Sequence, residues 1–190
     1  MSGRNSAPTL LIAADIFGAT PALHALANKL GQGVSVIDAY EGDAPPFENE
    51  SAAYEFFCQQ SSVHDYATKI YYEILQNTEL KHVIGFSVGA SALWQCLTQH
   101  PETPVTRFFA FYGGQVRHLL PDAPRVPIDW FSASDETHFD VARLNARLQQ
   151  LPNVQVHKTD YLHGFMNQHS MHFDSVGYTQ YLQLMVEQLK

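Results

Sequence analysis

Gly85-Phe86-Ser87-Val88-Gly89 is the stretch of this chain best suited to do chemistry. A serine hydroxyl is a weak nucleophile unless a base takes its proton, and it must stand clear of its surroundings to reach a carbonyl carbon. The G-x-S-x-G spacing meets the second need when a strand leads in and a helix leads out. Both patterns are present. His82-Val83-Ile84 reads as a short apolar strand, and residues 90–99 read as a helix with Ala92, Leu93, Cys96 and Leu97 on one face. The serine then occupies the apex of a strained turn. Its neighbours two positions away must lack side chains that would collide with strand and helix. The Val88 N–H points into the same space and can bind an oxyanion. An ordinary strand–helix turn could carry the same five letters, but the flanking pattern favours a nucleophile elbow.

The base and its orienting acid must come from other elements. Residues 9–14, 34–39, 107–112, 128–132 and 154–159 read as further strands, most of them continuous apolar runs. Residues 21–30 read as a helix entered through a Thr20-Pro21 start signal, and residues 51–77 as largely helical with a break at Ser61-Ser62, where the serines can cap a second helix. Residues 41–49 and 115–127 read as loops. Val141, Leu144, Leu148 and Leu151 recur at helical spacing, and Tyr178, Tyr181, Leu182, Met185 and Leu189 mark a final helix. Buried strands alternating with amphipathic helices imply an α/β architecture: one domain over residues 1–190, with a mostly parallel sheet of about six strands covered on both faces. In such a sheet the ligand site lies beyond the carboxyl ends of the strands.

The strand ends carry Asp15-Ile16-Phe17-Gly18, Ser87, Tyr112-Gly113-Gly114, Ser134-Asp135-Glu136 and Tyr161-Leu162-His163-Gly164-Phe165. Ser87, Asp135 and His163 follow the chain order serine, acid, histidine of the α/β-hydrolases. Asp135 competes with Asp129, inside the fifth strand, and with Glu136 beside it. Its alternative role is to cap the helix that follows. His163 competes with His157, inside the sixth strand, and with His138, which follows Asp135 closely.

Asp15-Ile16-Phe17-Gly18 is similar to the E-I-F-G element of the dienelactone hydrolase family, and His163-Gly164-Phe165 resembles that family's H-G-F at the catalytic histidine. The resemblance spans most of the chain. It implies the α/β-hydrolase fold, a Ser/Cys–His–Asp hydrolase without a cofactor, and an oxyanion hole in which the Ile16 N–H joins that of Val88. The departures are instructive. The family's best-known members use cysteine where Ser87 stands, a second glycine where Ala90 stands, and glutamate where Asp15 stands. Its lactone hydrolases hold a substrate carboxylate with an arginine soon after the histidine, whereas Met166-Asn167-Gln168-His169 follows here. The short chain is expected to lack the two leading strands common in the fold. Dienelactone itself is therefore not the expected substrate. Asp15, Phe17 and Tyr112 are the candidate substrate-lining residues.

Composition limits the partners. Across 190 residues the net charge is −8, with 45% hydrophobic and 16% charged residues and no basic run. That excludes nucleic acid and anionic membranes as expected partners. Cys58 and Cys96 form no disulfide framework, and the apolar run at residues 10–14 is too short for a signal or a membrane span, so a cytoplasmic location is expected. His163, His169 and His172 have no ligand spacing shared with a carboxylate or cysteine, so no metal is expected. The reading is a carboxylesterase acting on a small neutral ester or lactone. Thioesterase, peptidase and acyltransferase chemistry on the same triad, or a binding domain with a relict site, are its alternatives. Oligomeric state is left open.

Overall fold

The computed structural model describes residues 7–42 and 44–189. Six strands form one wholly parallel sheet in the order β2-β1-β3-β4-β5-β6, with β1 Leu10–Ala13, β2 Val34–Ile37, β3 His82–Phe86, β4 Arg107–Phe111, β5 Ile128–Ser132 and β6 Val154–Lys158. Strands β1, β3, β4 and β5 are buried almost throughout, whereas β2 and β6 at the edges are partly open. Two-sided burial explains the unbroken apolar runs of the central strands.

Side chains alternate between two cores. Leu11, Val83, Phe108 and Trp130 face α2 (Glu50–Gln60), α3 (Val63–Gln76), α4 (Val88–Gln99) and α5 (Val141–Leu148). Leu10, Ile84, Phe109 and Phe131 face α1 (Pro21–Leu30) and α6 (Ser175–Gln188). Burying a side chain of this size stabilises by about 2–3 kcal/mol, so the interlocked cores hold the strand ends in fixed register. The helix entries follow their signals. Thr20 caps α1 with Pro21 in its first turn, and Ser62 accepts from the Asp65 N–H to start α3 after the break.

Several element ends shift by one or two residues from the pattern reading, as where β2 ends at Ile37 rather than at residue 39, and two differences bear on the site. Helix α4 begins at Val88 rather than at residue 90, because the backbone is already helical immediately after the serine. The loop read at 115–127 opens with a single 3-10 turn, Gly114–His118, too short to leave a periodic signal.

The chain passes from β1 to β2 on one side and returns to place β3 on the other side of β1. That reversal opens a crevice at the carboxyl ends of β1 and β3. The segment after β1 and the turn after β3 both border it. No helix among the described residues is long and apolar enough to cross a membrane.

Candidate active site

Ser87 stands between β3 and α4 with φ 51° and ψ −115°. A non-glycine residue in this region carries strain of order 1–3 kcal/mol and persists only where its surroundings enforce it. They do so here. The Ser87 N–H donates to the Phe111 carbonyl at 3.0 Å, and the Ser87 carbonyl accepts from the Ser91 N–H at 3.1 Å and from Ser91 Oγ at 3.2 Å. The flanking glycines allow the close approach. A Cβ on Gly85 would lie 2.5 Å from Ala90 Cα, and one on Gly89 would overlap the carbonyl oxygens of Ala13 and Ala14.

His163 Nε2 lies 2.9 Å from Ser87 Oγ, and its Nδ1 lies 2.6 Å from Glu136 Oε1. The network assigns the tautomer: Nδ1–H donates to the Glu136 carboxylate, which leaves Nε2 to accept from the serine hydroxyl. The Glu136 side chain is only 12% exposed. Its charge is therefore poorly screened where an imidazolium would form. Among the described residues neither the Ile16 N–H nor the Val88 N–H has a hydrogen-bond acceptor, and both residues line the same cleft as Ser87. The segment bearing Ile16 is pinned from both sides. Tyr40 Oη donates to the Ile16 carbonyl, and the Phe17 N–H donates to Asp15 Oδ1 at 3.0 Å.

No protein-family model matches the chain. It is 31% identical over 175 residues to the uncharacterized protein YczH of Bacillus subtilis (strain 168), a match covering 88% of this chain and 85% of the relative. The chain belongs to the YczH family. Its architecture is the α/β-hydrolase fold, as in solved structures of dienelactone hydrolase-like proteins. The dienelactone hydrolase-like promiscuous phosphotriesterase P91 from metagenomic libraries superimposes with a TM-score of 0.68, at 16% identity over 97% of this chain and 86% of that one. The dienelactone hydrolase of Anabaena variabilis gives 0.62, at 17% identity over 96% and 86%.

In this member of the YczH family the expected acid, Asp135, is not the partner of His163. Asp135 is exposed at the cleft wall, and Glu136 makes the hydrogen bond. The residue that meets the imidazole is the fourth after β5, not the third, and the extra methylene of glutamate helps span the gap. Tyr112, expected to line substrate space, is 2% exposed and does not border the cleft. Its ring packs behind His163, with centroids 4.8 Å apart, and against Phe165. Tyr112 therefore supports the histidine from the protein side. Phe17 does border the cleft, where it stacks on His169 with ring centroids 5.9 Å apart.

Asp15 borders the cleft beside Ser87 but forms no hydrogen bond with it. Its carboxylate is held by the Phe17 N–H and by Asn167 Nδ2. Burial raises its pKa above the ordinary value, and those two hydrogen bonds counter the rise only in part. Asn167 belongs to the stretch after His163 in which the resemblance leads one to look for arginine, and there a neutral amide serves the buried acid. The rival pair, Asp129 and His157, lies within the sheet, where His157 Nε2 is 2.8 Å from Asp129 Oδ1, away from Ser87. His169 and His172 do not gather with His163 around a common point: His169 stacks on Phe17, and His172 Nδ1 lies 3.2 Å from the His163 carbonyl oxygen.

The cleft encloses about 850 Å³. The sequence marked neither Glu50 nor Arg117 as a lining residue. Helix α2 contributes Glu50, Ser51 and Tyr54, and the 3-10 turn contributes Arg117, whose guanidinium lies 4.8 Å from the Phe139 ring centroid and donates to the Gly114 carbonyl at 2.6 Å.

Proposed function

We propose that the protein is a serine hydrolase, with Ser87 as nucleophile, His163 as general base and acid, and Glu136 as the group that orients the histidine. The observation that carries this reading is the unbroken relay from Ser87 Oγ through the His163 ring to Glu136, built on a serine held at positive φ. In the reaction His163 Nε2 takes the hydroxyl proton as Ser87 Oγ attacks the carbonyl carbon. Charge developing on the carbonyl oxygen is met by the Ile16 and Val88 N–H groups. The imidazolium, stabilised by Glu136, returns the proton to the leaving group. A water activated by the same nitrogen then releases the acyl group.

The substrate class is a small, neutral, partly apolar carboxylic ester or lactone. Phe17, Tyr54, Phe139 and Leu162 supply apolar lining, while Asp15, Asp135 and Glu136 make the cleft unfavourable to anions. The reading includes a cytoplasmic location, supported by two cysteines that are both free.

The test is covalent labelling with a fluorophosphonate together with a panel of p-nitrophenyl esters of rising chain length. The wild type becomes labelled at Ser87 and turns over short neutral esters. Ser87→Ala loses the label and about four to six orders of magnitude in kcat while keeping its fold. Wild-type turnover in the Ser87→Ala variant, or labelling elsewhere on the chain, overturns the proposal.

A further inference from the structure

The loop that follows the histidine is fastened to the opposite wall of the cleft by one buried contact. Ser170 is 8% exposed, and its Oγ donates to Glu50 Oε1 in the first turn of α2. The same Oγ accepts from the His172 N–H at 3.1 Å. The His172 Nδ1–H in turn donates to the His163 carbonyl at 3.2 Å. A second link is steric. Gly164, next to the histidine, has φ 87°, and a Cβ there would overlap Ser170 Oγ. Ser170 is thus packed directly on the backbone that carries His163. Helix α2 is capped by Asn49 Oδ1, which accepts from the Ala52 N–H at 2.9 Å, and is anchored independently by Phe57 in the core.

From this geometry we infer that Glu50 is a positioning residue: through Ser170 it uses helix α2 to hold the His163 loop in the place where Nε2 reaches Ser87. The inference rests on the serine-hydrolase reading. Glu50 does not touch His163 or Ser87. Its action is to accept one hydrogen bond whose loss frees residues 164–172 to shift relative to the elbow. Reaction geometry is sensitive to such shifts, since a displacement of about 1 Å costs up to about a hundredfold in rate. What Glu50 contributes is an acceptor oxygen, not a charge, so glutamine can replace it and alanine cannot.

A double-mutant cycle tests this, read by kcat, by KM and by the rate of fluorophosphonate labelling of Ser87, which needs no known substrate. Glu50→Ala and Ser170→Ala each lower kcat and the labelling rate about tenfold, with KM within about twofold. The double variant shows the same tenfold loss, not a hundredfold one, because both changes break one contact. Glu50→Gln restores wild-type rates. Thermal melting, and labelling normalised to the folded fraction, separate a slow site from an unfolded one. Three results overturn the inference: unchanged rates in both single variants, losses that multiply in the double variant, or Glu50→Gln as slow as Glu50→Ala. Each is distinguishable from failure of the underlying reading, in which Ser87→Ala itself retains activity and label.

Discussion

Glu136–His163 and Asp129–His157 are one kind of chemical pair set at two depths of the same sheet. Both join a carboxylate near β5 to a histidine near β6, and both side chains are partly screened from water. Their third partners differ. His163 turns its free nitrogen to a hydroxyl in an open cleft. Asp129 instead accepts from Arg107 Nε at 3.0 Å and Nη2 at 2.9 Å, so the carboxylate bridges β4, β5 and β6. The His157 ring lies flat on Phe131 at 4.7 Å, with no nucleophile beside it. Burial alone raises the Asp129 pKa, but hydrogen bonds from His157 and Arg107 outweigh this and hold it below the ordinary value. Depth along the strand therefore decides the role. Within the strands the pair ties the sheet together, and beyond their carboxyl ends it meets the open cleft, where the proposed relay needs it.

The comparison breaks most sharply at the acids. Glu136→Gln lowers kcat by about three to four orders of magnitude, because the amide no longer fixes the Nδ1–H tautomer or stabilises the imidazolium. Asp135→Asn stays within about threefold of wild type. Steady-state kinetics on an ester turned over by the wild type decides between them, and the reverse pattern would return the acid role to Asp135. A second contrast concerns stability. Asp129→Ala removes a carboxylate hydrogen-bonded to Arg107 and His157 and destabilises by about 2 kcal/mol. Urea unfolding measures this, while kcat per folded molecule is unchanged. A catalytic loss without a stability loss would erase the distinction between the pairs.

The smallest effect lies in the pH dependence of stability. The folded-state pKa of Asp129 is depressed, so its contribution is complete above the unfolded value of about 3.9 and is lost as pH falls through the folded value. Unfolding curves taken at decreasing pH show the wild type losing this increment in that acid window. Asp129→Asn, which cannot titrate, has a flatter acid limb. Equal slopes would show that the ionised carboxylate is not what holds the tie.

Much of the fold was readable because burial leaves a pattern. The runs at β3, β4 and β5 are apolar because both faces are covered, and the starts of α1 and α3 are marked by Thr20-Pro21 and Ser62, whose side chains satisfy free N–H groups. The turn around Ser87 was legible for the same reason: Gly85 and Gly89 answer a local steric demand. The acid was not. Asp135 and Glu136 are adjacent carboxylates on an open loop, and only the path of the backbone after β5 decides which one meets His163. Asn167 and Ser170 meet Asp15 and Glu50 across separations of 152 and 120 residues. Such pairings leave no periodicity in either segment. Arg117 was overlooked because one 3-10 turn in a proline-rich stretch has no repeating face.

Gly89 has a further consequence for how this site tolerates change. The backbone of the first turn of α4 rests on the carbonyl oxygens of Ala13 and Ala14, leaving no room for even a methyl group. Two residues beyond Ala14 comes Ile16, and one residue before Gly89 comes Val88. The missing side chain therefore acts as a spacer gauge that sets the gap between the two N–H groups proposed to meet the oxyanion. A larger residue at 89 acts as a wedge, opening that gap with Ser87, His163 and Glu136 still in place.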